Sequence, residues 1–243
     1  MRLNTLNFHS KLGLSGFLIS IILGLFSAAT LIGLLYSSSD RGFNIPEMDK
    51  VKAKYSESAL VGAMKTTMYQ YVTVDDDIKV MEKWIQAGAL ENDYFKDEVM
   101  YIIEADCQKC HSRSSTMTGA IPSIPFNSYA DISVFTEKGY SWTAMAKTAH
   151  IHLFGIALLV VSLTFILSFS CYPGGIKSLL ISTAWLSLWI DMSSWWLAKF
   201  STYFAYFIAI FGTIEIITLG IIAFLCLIDL WFKVPDKLRD KKE

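Results

Sequence analysis

The chain has 243 residues, of which 53% are hydrophobic and only 18% are charged, and its mean hydropathy is +0.42. This composition excludes an ordinary soluble domain, because long uncharged stretches alternate with one polar region, and it indicates a membrane protein. A net charge of −1 without a basic, aromatic-rich patch gives no sign of a nucleic-acid partner. Four cysteines are too few and too scattered to predict a disulfide framework.

A first transmembrane helix is predicted over residues 12–37, after a segment 1–11 that carries Arg2 and Lys11. The apolar stretch of about 25 residues is long enough to span a bilayer. It is longer than the apolar part of a cleaved signal sequence, about 7–15 residues, so we expect a retained signal-anchor. The positive charge ahead of it predicts a cytoplasmic N-terminus and export of the residues that follow.

Residues 38–147 form the predicted exported domain, which holds sixteen of the 22 acidic and twelve of the 21 basic residues. Apolar residues at helical spacing predict that this domain is mainly helical. The first predicted helix covers 46–71, and a second begins behind Asp75, Asp76 and Asp77, whose carboxylates can cap it, and ends at Gly88. A third helix carries Phe95, Val99, Ile102 and Ile103. A loop marked by Gly119, Pro122 and Pro125 and a short helix over 129–138 complete the domain. The helix behind the three aspartates carries Ile78, Met81, Trp84 and Ile85 on one face.

The third of these helices leads directly into a Cys-x-x-Cys-His box formed by Cys107, Cys110 and His111. This spacing is the attachment signature of a c-type haem, in which two thiols bind the macrocycle and the histidine ligates the iron. The alternatives are a thioredoxin-like redox pair, half of a zinc site, or a chance occurrence of the pattern. A zinc site requires further Cys or His ligands, and a redox pair is typical of a βαβ pattern, which the sequence lacks.

At these three residues the sequence resembles c-type cytochromes. The resemblance implies one covalently bound haem c, with His111 as the proximal iron ligand. Covalent haem attachment on the outer face of the bacterial plasma membrane is also implied by the resemblance, and it agrees with the predicted export of this domain.

Three further transmembrane helices are predicted over 148–172, 176–198 and 203–232, followed by a basic cytoplasmic tail over 233–243. Lys177 in the first short connection and five basic residues in the tail satisfy the positive-inside rule. We therefore expect an all-α, multi-pass protein of the bacterial inner membrane. It has four transmembrane helices, a periplasmic c-type haem domain inserted after the first helix, and both termini in the cytoplasm.

The second iron ligand is sought among the remaining histidines and methionines. His150 or His152, at the outer entrance of the second span, is the main candidate, and Met145 is a weaker one. Met117 and Met100 are further methionine alternatives. The two histidines could instead be interfacial residues with hydrogen bonds only, or could serve a separate metal or quinone site.

Asp191 and Glu215 lie within predicted spans, about 12 and 18 Å from their outer ends. Ionisable residues at such depth indicate a functional site, here a possible quinone or proton site. The alternatives are a protonated acid that hydrogen-bonds to a neighbouring helix and a contact with another subunit. Asp229, close to the inner interface, is given no special role.

The predicted function is electron transfer on the outer face of the inner membrane, within a larger respiratory or oxidoreductase complex. Its expected partners are the membrane, other subunits and a redox partner protein. The layout resembles bacterial inner-membrane cytochromes with one haem box between one span and three. No catalytic residue is predicted, and an electron-transfer subunit is favoured over a self-contained enzyme. The alternatives are a quinol-oxidising cytochrome, with quinone bound between the transmembrane helices, and a haem-based sensor.

Overall fold

The computed structural model describes residues 2–37 and 45–232. The predicted cytoplasmic tail over 233–243 and residues 38–44 of the predicted exported domain lie outside the described residues. Within the described ranges the chain is all helical, without a β-strand. The predicted all-α class is confirmed at this level.

Nine helices follow one another along the described chain. They are α1 Phe8–Leu35, α2 Met48–Tyr55, α3 Ala59–Lys65, α4 Asp75–Gln86, α5 (the consecutive segments Phe95–Val99, Met100–Ile102 and Ile103–Cys107), α6 Tyr129–Ser133, α7 Trp142–Ser168, α8 Gly174–Leu197 and α9 Tyr203–Trp231. Single turns of 3₁₀-helix occur at Leu3–Thr5 and Tyr69–Tyr71.

Three of the described helices, α1, α7 and α9, are long and apolar enough to cross a membrane. The membrane character that the composition predicts is therefore confirmed. The chain divides into two units. The membrane unit contains α1, Met145–Leu197 and the chain from Tyr206 onward, and the polar unit contains Glu47–Ala144 and Ala198–Ala205.

The polar unit has its own hydrophobic core, built from α3, α4, α5 and α6. Trp84 and Met81 of α4, Ile103 of α5 and Ile132 of α6 are almost fully buried there. The predicted apolar face of α4 and the predicted helix into the Cys-x-x-Cys-His box are both confirmed. Burial of this core stabilises the unit by removing apolar surface from water.

The single helix predicted over 46–71 is wrong, because two short helices with a sharp connection occupy this segment. Ser58 ends the continuity: its Oγ accepts a hydrogen bond from the Val61 backbone N–H at 3.2 Å and caps α3. A Cβ on Gly62 would lie 3.0 Å from Cβ of Ala53, so α2 and α3 approach closely at these small residues. Helical periodicity alone does not reveal this reversal.

The start of α4 also differs from prediction. Val74 is the N-cap and Asp75, Asp76 and Asp77 form the first turn, without a side-chain cap. Their carboxylates still interact favourably with the helix dipole at this end. Gly88 follows the helix with φ +97°, which confirms the predicted end.

Contacts in the membrane unit bring three helix ends together. The Leu3 N–H donates to the Phe169 carbonyl at 3.1 Å, which places the start of α1 beside the end of α7. The Cys171 N–H donates to Oδ2 of Asp229 at 3.0 Å, which adds the end of α9. Asp229 is fully buried. From the sequence no special role is predicted for Asp229, and in the structure its carboxylate binds the turn that follows α7.

The position of Gly139 generates a prediction about stability. Gly139 has φ +61°, and an added Cβ would overlap the Tyr55 carbonyl group. Gly119 has φ +86° but open space around its Cβ position. We expect Gly119→Ala to cost about 1 kcal/mol of unfolding free energy for the backbone conformation alone. Gly139→Ala should cost about 3 kcal/mol because steric overlap adds to that term.

Denaturant unfolding of the full chain, followed by tryptophan fluorescence and near-UV circular dichroism, measures both variants. Equal losses for the two substitutions would contradict the close approach of Gly139 to Tyr55.

Candidate functional site

The Cys-x-x-Cys-His box continues α5 without a break. The last segment of α5, Ile103–Cys107, is a π-helix, and the Gln108 N–H donates to the Ile103 carbonyl at 2.9 Å. The N–H groups of Cys110 and His111 then donate to the Cys107 carbonyl at 3.1 and 2.8 Å. Residues three and four apart on such a turn share a face, so both thiols and the imidazole belong to one side. Wide π-turns of this kind are rare and occur frequently at functional sites.

The imidazole of His111 is oriented by two contacts from the loop after the box. Its Nδ1 hydrogen-bonds to the carbonyl oxygen of Ile124 at 2.9 Å. The ring stacks on Phe126 with centroids 4.7 Å apart and an interplanar angle of 15°. Because the carbonyl only accepts, Nδ1 carries the proton and Nε2 keeps its lone pair for a metal. Metal-ligating histidines almost always donate their other ring N–H to a carbonyl, a carboxylate or water in this way, which fixes the tautomer and the ring orientation.

Backbone hydrogen bonds hold this loop against the box. The Ile121 N–H donates to the Cys110 carbonyl at 2.9 Å, and the Phe126 N–H donates to the His111 carbonyl at 2.7 Å. Nε2 of Gln108 donates to the Phe126 carbonyl at 2.9 Å. The sequence predicted an irregular loop here but missed its role as the support of His111. The glycine and prolines of the loop predict a turn, but no residue pattern predicts that this loop contacts His111.

The two thiols of the box are free and partly buried. Cys107 packs against the hydrophobic core of the polar unit. Burial raises the pKa of its thiol to about 12. The attacking thiol of a redox Cys-x-x-Cys pair has a lowered pKa instead, so the environment of Cys107 does not favour thiol–disulfide exchange.

The candidate second ligands divide between the two units. In the polar unit, Sδ of Met117 lies 3.7 Å from Sγ of Cys110, and Met100 packs against the core. Met145, His150 and His152 belong to the membrane unit.

The membrane-unit candidates differ in surroundings. Met145 is fully buried. His150 is exposed, packs edge-on against Phe154 at 5.0 Å and lines an apolar groove of about 260 Å³. His152 makes no hydrogen bond to a carboxylate among the described residues. Its Nδ1 hydrogen-bonds to the Thr148 carbonyl at 3.1 Å, as expected of an interfacial histidine.

The predicted intramembrane acids both lie in the membrane unit and are buried. Asp191 of α8 is 6% exposed, and its Oδ1 accepts a hydrogen bond from Nε1 of Trp195 on the same helix at 3.3 Å. Glu215 of α9 is 4% exposed, and its Oε1 has no hydrogen-bond partner among the described residues. Among the described residues, neither acid has a hydrogen bond to a neighbouring helix.

A charged cluster next to the box generates a prediction about acid stability. Oδ2 of Asp131 accepts hydrogen bonds from Nη1 of Arg113 at 3.0 Å and from Oγ of Ser128 at 2.8 Å. These contacts hold the pKa of Asp131 below its usual 3.8, and the hydrogen bonds from Arg113 contribute most to this shift. The ionised Asp131 carboxylate therefore stabilises the folded state at neutral pH. This contribution is lost as the pH falls through the pKa that Asp131 has in the unfolded chain and then through its lower pKa in the folded protein.

We expect Asp131→Asn to lower the melting temperature of the polar unit at about pH 7, and the difference from wild type to shrink below about pH 4. Thermal unfolding at several pH values measures this difference. A difference that stays constant with pH would contradict the role of the ionised carboxylate. Asp93→Asn, which changes an acid remote from Arg113 in sequence, serves as the charge-matched control.

Comparisons with known proteins bear on the membrane part of the chain. No curated protein and no solved structure matches it. Residues 92–237, more than half of the chain, match the Aq_1264_TM family, which is described as a transmembrane helical domain. The match extends from just before α5, through the box, and over α7, α8 and α9. The chain therefore belongs to the Aq_1264_TM family of transmembrane helical domains.

Proposed function

We propose that the chain is a membrane-bound c-type cytochrome that carries electrons through one haem c held by Cys107, Cys110 and His111. The observation that carries this proposal is the hydrogen bond from Nδ1 of His111 to the Ile124 carbonyl. It leaves Nε2 available for iron, and it occurs within the one sequence pattern that attaches haem covalently. When bound, the haem supplies one-electron redox chemistry.

Each part of the site has a separate task in this function. Cys107 and Cys110 are the covalent anchors, and both are free thiols on one turn. Phe126 and the Ile124 carbonyl hold the imidazole of His111 in one orientation. The buried side chains of α4 and α5 supply an apolar wall next to Cys107, which excludes water from one side of the site.

We further propose that α8 crosses the membrane as well, so that the protein has four spans. The end of α7 and the end of α9 lie together, as the hydrogen bond between Cys171 and Asp229 requires. The helix α9 has 29 residues, so its start is at the opposite end, and α8 with 24 residues connects the two ends. Its lower hydropathy has a physical reason, because Ser187, Asp191 and Ser194 are buried within the unit.

The contacts of Lys199 agree with this path. Lys199 lies between α8 and α9, and its Nζ donates to Oε1 of Glu137 at 3.0 Å and to the Lys138 carbonyl at 2.9 Å. These residues precede α7, so the loop between α8 and α9 is held at the start of α7. With Arg2 and Lys11 ahead of α1, the charge rule favours a bacterial inner-membrane protein with both termini inside and the polar unit in the periplasm.

Three helices after the haem box exceed what an anchor requires, since α1 alone would hold the chain in the membrane. This excess supports a role as an electron-transfer subunit within a larger respiratory or oxidoreductase complex. The partners proposed are other membrane subunits and a redox partner protein. The second iron ligand is proposed among His150, His152 and the methionines Met145, Met117 and Met100.

The covalent haem is tested by expression together with a c-type haem maturation system. We expect wild-type protein to keep haem after denaturation, measured by the pyridine haemochrome and by the mass of the intact chain. Cys107→Ala and Cys110→Ala should each lower the covalent haem about tenfold or more, because each removes one anchor. Cys171→Ala and Cys226→Ala are matched controls in the membrane unit and should retain it. Wild-type protein without covalent haem would overturn the proposed function.

The ligand set is tested by optical and electron paramagnetic resonance spectra of the purified protein. We expect a six-coordinate, low-spin haem, and conversion to high spin on removal of the second ligand. The variants are His150→Ala, His152→Ala, Met145→Leu, Met117→Leu and Met100→Leu. A wild-type spectrum that is already high-spin and binds carbon monoxide would contradict simple electron transfer and favour the haem-sensor function.

A further inference from the structure

Two buried acidic side chains lie close to the place where α8 and α9 are adjacent in the membrane unit. The Cβ position of Gly212 on α9 is 3.7 Å from Oδ1 of Asp191 on α8, so the two helices are adjacent at this level. Glu215 follows Gly212 by three residues and therefore lies on the same face of α9. Both side chains are buried, Asp191 with 6% and Glu215 with 4% of its surface exposed.

Neither carboxyl group has a cationic partner. Among the described residues, every ion pair belongs to the polar unit. Asp191 receives a single hydrogen bond from Trp195, and Oε1 of Glu215 is buried without any partner. Burial without a cation or enough hydrogen-bond donors disfavours an ionised carboxylate, and two ionised carboxylates would also repel each other.

Two buried hydroxyl groups on the same face of α8 as Asp191 do not compensate for this cost. Oγ of Ser187 donates to the Ala184 carbonyl at 3.1 Å, and Oγ of Ser194 donates to the Ile190 carbonyl at 2.6 Å. Both serines share a face of α8 with Asp191. Because their protons are already donated, they can accept a hydrogen bond but not give one. Such neighbours favour a protonated carboxyl group over an ionised one.

Other titratable groups of the membrane unit are placed elsewhere. The ring of His152 on α7 contacts Trp195 at 5.2 Å and reaches Asp191 only through that indole. Lys177 at the start of α8 donates to the carbonyls of Ser168 and Ser170, and Lys11 of α1 lies over the ring of Trp231. The acid pair is thus the only titratable pair that the described parts of α8 and α9 bring together at this level.

We propose that Asp191 and Glu215 form an intramembrane proton-binding site in which the two carboxyl groups hold one proton between them. Sharing one proton removes the repulsion and gives the buried Oε1 a partner that no described side chain supplies. The ligand is the proton itself, taken up by the pair and released as one unit. The site goes beyond the proposed electron transfer and would exist whether or not the polar unit carries haem.

The experiment uses N,N′-dicyclohexylcarbodiimide, which reacts with protonated carboxyl groups in apolar surroundings. The full chain in lipid nanodiscs is labelled over a pH series and mapped by peptide mass spectrometry. We expect one adduct per chain near neutral pH, on Glu215 or Asp191. Its yield should fall about tenfold per pH unit above the midpoint. The protonated-carboxyl C=O stretch in the infrared spectrum should titrate with the same midpoint.

Variants distinguish a shared proton from two independent acids. In Asp191→Asn the labelling midpoint of Glu215 should move to lower pH by about one unit or more, because the neighbouring charge is gone. Glu215→Gln should shift the midpoint of Asp191 in the same direction. Asp229→Asn, the same type of change at a buried acid on α9 that binds a backbone N–H, should leave both midpoints unchanged.

Four results would overturn the proposal. Unchanged midpoints in both acid variants would mean that the groups titrate independently. Two adducts per chain at neutral pH would mean that each acid holds its own proton. Protection by sodium ions relative to choline at equal ionic strength would assign the pair to a metal cation. The proposal would also be overturned if neither the adduct yield nor the infrared band changed with pH.

Discussion

The hydrogen bond from Nδ1 of His111 to the Ile124 carbonyl is the contact on which the proposed site depends. A cysteine box on a helix supplies anchors, but an imidazole at the free end of a helix can rotate. The bond to Ile124 and the stacking on Phe126 restrict that rotation and direct Nε2 away from the loop. The backbone bonds from Ile121 and Phe126 in turn hold the loop in place. These contacts support one another, because each restricts the conformations of the loop and so lowers the entropy cost of forming the next contact.

In the membrane unit, the main constraint is that buried polar groups need hydrogen-bond partners within the protein. The helix ends of this unit are joined through polar groups that have no water partner in a bilayer, and each buried polar group needs a hydrogen bond within the protein. Asp229 meets this need by accepting from the Cys171 N–H, and Ser15 accepts from the indole of Trp231 at 2.7 Å. Both acids have one buried oxygen without a partner among the described residues, Oδ1 of Asp229 and Oε1 of Glu215, but of the two only Asp229 is bound by a backbone N–H through its other oxygen. That difference separates a structural acid from one proposed to bind a proton.

Several features were accessible from local sequence alone. Long apolar runs at 12–37, 148–172 and 203–232 require only length and hydropathy to predict helices that can span a bilayer, and α1, α7 and α9 confirm them. The apolar face of α4 and the helix leading to Cys107 follow from helical spacing, because helix formation depends on neighbours three and four residues apart. The Cys-x-x-Cys-His box is local in the same sense, and its haem remains a proposal.

The features that only the tertiary structure decided all involve residues far apart in the chain. The partner of His111 is thirteen residues away, and the reversal between α2 and α3 depends on Ala53 meeting Gly62. The bond from Cys171 to Asp229 joins residues 58 apart, and the approach of Gly212 to Asp191 joins two helices. Periodicity and composition carry no information on which distant groups meet. The sequence by itself therefore determined the membrane class, the helical segments and the box, whereas packing decided which buried polar groups have a hydrogen-bond partner among the described residues and which do not.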